Sequence, residues 1–353
     1  MRNFTFKGLF LAAMFMVLGS LAIQAADDGL ITKQITVKLE KAGTLRDKIG
    51  STKRDKITNL KIIGEINGSD WSVIRYMAGR DYYDSESDGK LAILDLSETK
   101  IVSGGGRYLY DDYYRDYFYT HDNELGSRAF YNCSGLTSLS LPSGITSIGW
   151  EAFSGCSGLT SLSLPSGITS MGNEAFSGCS GLTSLSLPSG LTSIDFNAFS
   201  GCSGLTSLSL PSGLISIGDG AFSGCSGLTS LSLPSGLTSI GDVAFYGCSG
   251  LTSIYVYTEK LPKIGSNVFD GCDAKKCTVY VPKGTYDDYW LSEFGYFENI
   301  VEFEATGINN VITSNDAKEH SRYSVNGQRL SAPTKGLNIV KYSDGSVKKV
   351  VVQ

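Results

Sequence analysis

Leucine and serine alternate along the central part of the chain in a pattern that returns every 23 residues. The segment AFSGCSGLTSLSLPSG stands unchanged at four places, with starting points 23 residues apart: 152–167, 175–190, 198–213 and 221–236. Diverged copies flank these at 129–151 and 244–267, and a partial copy begins at Val268. A fixed period of this length predicts a solenoid in which each copy forms one coil and stacks on the next.

The apolar positions within one copy predict a short strand. Leu136, Leu139 and Leu141 follow the pattern L-x-x-L-x-L, and Ile145 and Ile148 recur beyond a proline turn. This pattern, with a period of roughly 20 to 29 residues, is typical of leucine-rich repeats. The alternation predicts that the leucines point inward and the serine between them outward. Stacked in register, these strands form a parallel sheet along one face of the solenoid.

The remaining positions of a copy predict how the coil closes. Pro142 ends the strand because proline lacks the N–H that a sheet ladder needs, and Gly144 supplies the turn. On the other side of the coil, 152–155 predicts a short helical turn whose phenylalanine fills the core. Asp219 and Asp242 each precede the corresponding alanine by two residues, where they suit helix N-caps.

Taken together, these features resemble a known repeat. The consensus A-F-x-G-C-S-G-L-T-S-L-x-L-P-S-G-L-T-S-I-G over 129–284 is similar to the repeat of the BspA-like leucine-rich-repeat family of bacterial surface proteins. The resemblance implies an α/β-type solenoid, in which a right-handed leucine-rich-repeat coil carries a parallel β-sheet on one face. It also implies adhesion to extracellular-matrix proteins.

The segment before the repeats predicts an N-terminal cap, which a solenoid needs because its terminal coil otherwise exposes apolar surface. Residues 57–62 and 91–96 repeat the strand pattern with irregular spacing, and 71–77 predicts a short helix between them. We therefore assign 26–128 to the cap, including a tyrosine-rich insertion.

The segment after the repeats predicts a second cap. Residues 277–284 align with the strand and turn of a repeat, and 286–294 predicts a helix that follows it. This arrangement resembles the C-terminal cap of the same family. The repeats and this cap together occupy 129–303.

The composition of the chain changes after this cap. Residues 304–321 form a polar linker, and 322–353 alternate like short strands around Asn326-Gly327 and Asp344-Gly345. Such dipeptides are typical of hairpin turns. The last segment is similar to the C-terminal sorting domains of type IX secretion substrates, which implies transport across the outer membrane.

Residues 1–25 are typical of a secretory signal peptide. Arg2 and Lys7 precede an apolar run over 8–23, and small residues follow the run. The run is shorter than the roughly 20 residues of a membrane-spanning helix, and no second such run follows. We expect no transmembrane segment and a protein that is extracellular or displayed on the outer-membrane surface.

One cysteine recurs in each copy, which in an exported protein invites a disulfide or metal interpretation. The six cysteines are spaced one per coil: Cys133, Cys156, Cys179, Cys202, Cys225 and Cys248. A line of thiols along the solenoid does not converge on one metal, and parallel side chains give poor disulfide geometry. We predict buried free thiols that pack as small apolar groups. A bridge between Cys272 and Cys277 stays open.

Composition argues against several function classes. The net charge of −5 and the pI near 5.2 disfavour nucleic acid as a partner, because phosphate contacts need clustered lysine and arginine. The two histidines, His121 and His320, stand in no nucleophile or metal motif. We expect neither enzymatic activity nor a cofactor or metal site.

The outward serines form the first candidate binding surface. They lie at the same position of successive copies, with no lysine or arginine between Arg128 and Lys260: Ser140, Ser163, Ser186, Ser209 and Ser232. One interpretation is a flat hydrogen-bonding surface for a protein or a glycan. The alternative is a solvated sheet whose regularity reflects recent duplication of the repeat.

The insertion at 107–124 is the second candidate. It holds six tyrosines, and those that we select as ligand contacts are Tyr113, Tyr114, Tyr117 and Tyr119. Tyrosine offers a large contact area with one polar end, as binding surfaces do. The alternative is that half of these rings cover the exposed edge of the first repeat.

These observations favour an adhesin-like surface or secreted protein that binds an extracellular protein or glycan, with a host matrix protein as one such partner. The alternative function is a structural or glycan-handling component of the bacterial surface without a host partner. Solenoid architecture by itself does not decide between them.

Overall fold

A computed structural model describes residues 29–304 in full and the backbone of four strands between residues 319 and 352. The chain divides after Glu304 into two compact units. The predicted signal peptide, most of the polar linker and both turn dipeptides of the C-terminal segment lie outside the described residues.

The N-terminal cap alternates parallel strands with short helices. Its elements are β1 (Ile35–Lys38), α1 (Leu45–Ile49), α2 (Ser51–Arg54), β2 (Asn59–Ile66), α3 (Gly68–Met77) and β3 (Ile93–Ile101). Strands β1, β2 and β3 pair in parallel in that order, with Leu60 opposite Leu94. The irregular strand pattern of the sequence is thereby confirmed as two coils that precede the repeats.

Helix α3 starts where a capping box satisfies its first N–H groups. The Asn67 side chain accepts a hydrogen bond from the Ser69 N–H, and the Asp70 carboxylate accepts one from the Asn67 N–H. The Asp70 carboxylate also accepts bonds from the Gly43 and Leu45 N–H groups, which fixes α1 against α3. The predicted helix is confirmed, and it begins three residues earlier than the sequence pattern predicts.

The tyrosine-rich insertion follows β3 and forms an antiparallel hairpin of β4 (Arg107–Asp111) and β5 (Asp116–Tyr119). The chain then returns to the solenoid in β6 (Glu124–Leu125). We call residues 107–119 the tyrosine hairpin.

Each repeat contributes two short strands to the solenoid. The first strands are β7 (Ser138–Ser140), β9 (Ser161–Ser163), β11 (Ser184–Ser186), β13 (Ser207–Ser209), β15 (Ser230–Leu233) and β17 (Ser253–Val256). The second strands are β8 (Ser147–Ile148), β10 (Ser170–Met171), β12 (Ser193–Ile194), β14 (Ser216–Ile217), β16 (Ser239–Ile240) and β18 (Lys263–Ile264). The sequence pattern predicts the first strands but not the second.

The C-terminal cap continues the sheet of first strands. Strand β19 (Thr278–Pro282) pairs with β17, and β20 (Asn299–Phe303) pairs with β19. Helix α4 (Tyr286–Trp290) and a 3₁₀ helix (Glu293–Tyr296) lie between them. The predicted single helix is thus two pieces, because the Ser292 side chain accepts from the Phe294 N–H and starts a new turn.

Both sheets are parallel and keep the repeat register. The first strands form three hydrogen-bonded groups in the orders β1-β2-β3-β7-β9, β11-β13 and β15-β17-β19-β20. The second strands form two groups, β10-β8-β6 and β12-β14-β16-β18. Ser140 lies opposite Ser163, which shows that one coil corresponds to one 23-residue copy. This is the α/β leucine-rich-repeat solenoid that the sequence predicts.

The third side of each coil is not the helical turn that the sequence predicts. The Phe153 N–H donates to the Ala175 carbonyl of the next coil at 2.8 Å, and the Gly155 N–H donates to the Ser177 carbonyl at 2.8 Å. These N–H groups bond between coils, so they are not used for helical bonds within a coil. This side is therefore built of turns.

The predicted N-cap role of the aspartates is also corrected. The Asp219 carboxylate accepts a hydrogen bond from the Asp242 N–H of the next coil at 2.8 Å. The Asp242 carboxylate accepts from the Ser266 N–H at 2.7 Å. Because no helix begins at this corner, these side chains link successive coils.

The residue before each Ala-Phe pair takes a left-handed backbone conformation. Its φ lies between 50° and 62° in seven successive coils, at Arg128, Glu151, Glu174, Asn197, Gly220, Val243 and Asn267. Asparagine and glycine adopt this conformation at little cost, whereas a β-branched residue does not. This position forms the corner between the second strand and the third side of the coil.

The core is a ladder of identical side chains. Rings of successive coils stack with centroids 4.8 to 5.9 Å apart and lie within 15° of parallel: Phe130, Phe153, Phe176, Phe199, Phe222, Phe245 and Phe269. All eight cysteines are buried and free, as predicted for those of the repeats, and Cys272 and Cys277 are not bridged.

The C-terminal unit contains the strands that the sequence alternation predicts. They are β21 (Glu319–Ser324), β22 (Arg329–Leu330), β23 (Gly336–Tyr342) and β24 (Val347–Val352). The strands are antiparallel in the order β22-β21-β23-β24. The first of them begins three residues before the predicted end of the linker.

Candidate functional site

The five predicted serines form one continuous column on the sheet of first strands. All five side chains are exposed, while the leucines that precede them in the strands point into the core. The pairing Ser140 with Ser163 and Ser186 with Ser209 places the hydroxyls of successive coils side by side. We call this surface the serine face: Ser140, Ser163, Ser186, Ser209 and Ser232.

The fold uses other hydroxyls of the repeat but not those of the serine face. Thr160 Oγ1 donates to the Thr137 carbonyl of the preceding coil at 3.3 Å, and this bond recurs from Thr183 to Thr252. Within residues 29–304, the hydroxyls of the serine face make no such bond to protein atoms. They are therefore available to donate to and accept from a ligand.

Register shows what lies at the two ends of the serine face. Ser140 lies opposite Asp95, whose carboxylate is 3.2 Å from Lys61 Nζ. Ser232 lies opposite Tyr255, which lies opposite Tyr280, and the two rings stack with centroids 4.5 Å apart. An ion pair therefore bounds the hydroxyl surface at one end and a tyrosine pair bounds it at the other.

Sequence reasoning missed this tyrosine pair. Tyr255 stands 23 residues after Ser232, at the same position of the repeat, so the alignment of copies already contains the information. The position of Tyr280 was harder to find because its spacing departs from the period.

A groove of about 690 Å³ lies over the first three coils of the serine face. Its polar lining consists of serines of β7, β9 and β11, and its apolar lining includes Leu164 and Leu187. The hydrogen-bonded ladder is interrupted between β9 and β11. At this interruption Leu164 is only half buried, whereas Leu141 and Leu187 are buried. The groove therefore combines neutral hydroxyls with an apolar floor.

One part of the tyrosine hairpin covers the edge of the solenoid, as the alternative interpretation proposes. Tyr108 and Leu109 are buried, and Phe118 packs against the core. The Tyr108 hydroxyl donates to the Ser127 carbonyl, and its ring contacts Trp71. Burial raises the pKa of Tyr108 well above its usual value. These rings belong to the cap.

The four tyrosines selected from the sequence are the exposed part of the insertion. Tyr113 packs edge-on against Tyr114, and Tyr114 packs edge-on against Trp150 at 5.3 Å. The Arg107 guanidinium lies over the Tyr117 ring at 3.9 Å. Tyr119 is exposed on β5. The two interpretations of the insertion therefore apply to different residues of it.

The structure does not bring the tyrosines and the serine face together. Tyr114 contacts Trp150 and lies near Arg128, and both of these residues border the corner that follows a second strand. The serines lie on the first strands. The two candidate surfaces thus occupy different sides of the coil.

A buried arginine joins the tyrosine hairpin to the first two coils. The Arg128 guanidinium bonds the carboxylates of Asp111 and Glu151 and lies 4.5 Å from the Tyr131 ring and 4.6 Å from the Trp150 ring. Arg128 and Glu151 meet because they occupy the same left-handed position in successive coils. Burial raises the pKa of Glu151, although the hydrogen bond and charge of Arg128 oppose this shift.

A cleft of about 420 Å³ opens between the tyrosine hairpin and this corner. Its lining is aromatic and acidic, and we call it the hairpin cleft: Tyr83, Asp84, Leu109, Tyr110, Asp111, Asp112, Tyr113, Tyr114, Arg128, Tyr131 and Glu151. Asp84 is held by Arg75 at 2.7 Å and by the Asn132 side chain at 2.8 Å. The sequence indicates the tyrosines of this cleft but not the carboxylates that meet them.

Other chemistry is sparse in the described part of the chain. Over residues 29–304 and the four later strands, no group of three or more histidine, cysteine, aspartate or glutamate residues is arranged to hold a metal. Among the same residues, no helix has the length and apolar character to cross a membrane. His121 is exposed and lies 3.7 Å from Glu124.

Comparison with known families identifies the repeat. The sequence model of the BspA type Leucine rich repeat region matches three overlapping segments, 123–229, 170–293 and 216–315, which together cover more than half of the chain. A comparison with curated protein sequences found no match.

Several solved structures resemble parts of the chain. A leucine-rich repeat protein from Bacteroides ovatus is 24% identical over 71% of this chain, with a TM-score of 0.38, and the chain spans 62% of its length. A leucine rich repeat protein of T. pallidum is 26% identical over 44% of this chain and 65% of its own, with a TM-score of 0.26. A leucine rich cell surface protein from Faecalibacterium prausnitzii is 19% identical over 78% of this chain and 88% of its own, with a TM-score of 0.33.

Proposed function

Because the chain belongs to the BspA-type leucine-rich-repeat family, we propose that it is a secreted or surface-displayed, adhesin-like binding protein that recognises an extracellular protein or glycan through its serine face. The observation that carries this proposal is the column of five exposed hydroxyls that the fold itself does not use. A host matrix protein is one such partner.

The serine face suits an extended ligand. A single neutral hydrogen bond contributes only about 0.5 to 1.5 kcal/mol, so a useful affinity requires many contacts along the column. The groove over β7, β9 and β11 adds an apolar floor on which a ligand can bury carbon atoms. A flat polymer or an extended peptide with regularly spaced polar groups can meet several coils at once.

Paired substitutions test the serine face. The double variant Ser163→Arg and Ser186→Arg places two long cationic side chains in the groove. The matched control, Ser157→Arg and Ser180→Arg, makes the same change at exposed turn positions of the neighbouring coils. Both variants are assayed by surface plasmon resonance against a panel of extracellular-matrix proteins and a panel of neutral polysaccharides.

We expect the groove variant to lose at least about tenfold in affinity for the bound panel member, since each arginine blocks hydrogen bonds from several hydroxyls. The turn variant keeps the wild-type affinity. Equal affinity of the two variants for every panel member that the wild type binds would show that the ligand uses another surface.

A structural or glycan-handling role is the second candidate function. The neutral hydroxyl lining of the groove favours it, because a polysaccharide offers many hydroxyls and little charge. Binding to the polysaccharide panel without binding to any matrix protein would favour this role over adhesion.

We also propose that the protein is exported and that 322–353 acts as a sorting segment for outer-membrane transport. The antiparallel strands β21 to β24 support a separately folded C-terminal unit. A chain truncated before Arg322 should keep its repeats folded but show reduced surface labelling in its host. Unchanged labelling would rule out the sorting role.

A further inference from the structure

We propose that the hairpin cleft is a second binding site, which takes the guanidinium or ammonium group of an arginine or lysine side chain on a partner protein. The cleft lies apart from the serine face, so the proposal does not depend on the ligand of that face. Three independent properties of the cleft support it: exposed aromatic rings, an excess of carboxylates and a guanidinium already held by the same groups.

The walls of the cleft are unusually exposed aromatic rings. Tyr113 is 86% exposed, Tyr83 is 60% exposed and Tyr114 is 55% exposed. Tyr83 also packs edge-on against Tyr110, which fixes the opposite wall of the cleft. Tyrosine faces attract cations through the ring quadrupole and lose little conformational entropy on binding, since each ring has two side-chain torsions.

The charge of the cleft is negative. Its lining contains the four carboxylates of Asp84, Asp111, Asp112 and Glu151 against the guanidinium of Arg128. With Arg75, which pairs with Asp84, four negative groups meet two positive groups, which leaves a net charge of −2. A partially enclosed negative cleft concentrates cations and speeds their encounter.

The cleft already holds one guanidinium by this chemistry. Arg128 lies between two carboxylates and against the rings of Tyr131 and Trp150. On the same hairpin, the Arg107 guanidinium stacks over Tyr117 at 3.9 Å. The same side-chain types continue outward from Arg128 to the mouth of the cleft, where they lack a cation.

Asp112 and Tyr113 form this mouth. Both residues are exposed, and both line the cleft at the turn between β4 and β5. A cation that enters the cleft can therefore pair with the Asp112 carboxylate while it lies against the ring of Tyr113 or Tyr83. Arg115 stands on the same turn but does not line the cleft.

The test uses the mature protein labelled with 3-fluorotyrosine and followed by ¹⁹F NMR, with resonances assigned by single Tyr→Phe variants. The probes are three synthetic peptides, acetyl-GSGXGSG-amide with arginine, lysine or glutamate at X. We expect the arginine and lysine peptides to shift the resonances of Tyr83, Tyr113 and Tyr114, with the glutamate peptide inactive. An increase in ionic strength should weaken the effect.

Two matched pairs of variants locate the site. Asp112→Asn should weaken binding of the arginine peptide about two- to fivefold, as expected for a partly exposed ion pair. Asp116→Asn, which removes the same charge from the hairpin outside the cleft, should leave it unchanged. Tyr113→Ser should weaken binding by a similar factor through the lost cation–π contact, whereas Tyr119→Ser should not.

Three results would overturn the proposal. The first is an equal loss of binding in Asp112→Asn and Asp116→Asn, which would mean that overall charge alone attracts the peptide. The second is a shift of the same resonances by the glutamate peptide. The third is no shift of these resonances at about 10 mM arginine peptide, a concentration that reveals even millimolar affinity.

Discussion

The Cys156 thiol donates a hydrogen bond from Sγ to the carbonyl oxygen of Phe130, 26 positions earlier in the chain, at 3.0 Å. The same bond, 3.1 to 3.5 Å long, joins later coils through Cys179, Cys202, Cys225, Cys248 and Cys272. Each thiol is therefore buried, hydrogen-bonded and held against the preceding coil. An exported protein can keep such thiols reduced because neither oxidant nor a second thiolate reaches them.

We predict that the thiols react only when the solenoid unfolds. Native protein treated with a maleimide should gain no label, and protein denatured in guanidinium chloride should gain one label per cysteine, as measured by mass spectrometry. Ser140→Cys supplies the control, since a thiol on the exposed serine face should be labelled in the native state. Disulfides between repeats as the main species in the native protein would contradict this prediction.

Alkaline pH should destabilise the reduced protein through the same thiols. Burial raises the pKa of Cys133 to about 11 and that of Cys179 to about 12, whereas unfolded thiols ionise near 9. The folded state therefore favours the protonated thiols, so their contribution to stability is complete below pH 9 and is lost as the pH rises from 9 towards 12. Each thiol costs about 1.4 kcal/mol per pH unit in this window.

Thermal melting at about pH 8 and about pH 10.5 measures this loss. Cys179→Ala is the control that separates thiols from tyrosines and lysines. It should melt earlier than wild type at the lower pH because packing is lost, but its further decrease at the higher pH should be smaller by the share of one thiol. An identical decrease in the variant and the wild type would assign the alkaline effect to other groups.

Removal of one coil should be tolerated better than one polar residue in the core. Deletion of 175–197 joins Glu174 to Ala198, and Glu174 has the same left-handed backbone as Asn197, which it replaces in the stack. Leu185→Asp should unfold the protein. Loss of a packed leucine alone costs about 2 to 5 kcal/mol, and the buried carboxylate adds to this.

Circular dichroism melting compares the two. Ser186→Asp is the matched control for the point variant, because it introduces the same carboxylate one residue later on the exposed side of the strand. We expect it to melt close to wild type. If the deletion melted earlier than Leu185→Asp, the interpretation of the coils as interchangeable stacking units would be wrong.

Val243 should be replaceable with a gain in stability. Its φ of 50° is left-handed and costs a β-branched residue about 1 kcal/mol or more, whereas other coils place asparagine or glycine there. Val243→Asn should therefore raise the melting temperature by about 2 to 4 °C. The reverse change in the preceding coil, Gly220→Val, should lower it. A lower melting temperature for Val243→Asn would show that the valine side chain contributes more by packing than its backbone costs.

The sequence by itself determined the solenoid, because a verbatim repeat can satisfy its backbone only by placing equal positions side by side. From this follow the strand at Leu139-Ser140-Leu141, the buried ladder of Phe153 and Cys156, and the outward direction of Ser163. Each of these depends on local alternation and on the period, both of which are visible in one copy and its neighbour.

Only the tertiary structure decided how the irregular segments meet the repeats. The helical turn expected at 152–155 is absent because its N–H groups bond the next coil, a competition that one copy alone does not reveal. Likewise, Arg128 meets Glu151 because the stack brings equal positions together, and it meets Asp111 because the tyrosine hairpin folds back over that corner. The hairpin interrupts the period, so its contacts depend on packing between residues distant in sequence, which the alternation of polar and apolar residues does not encode.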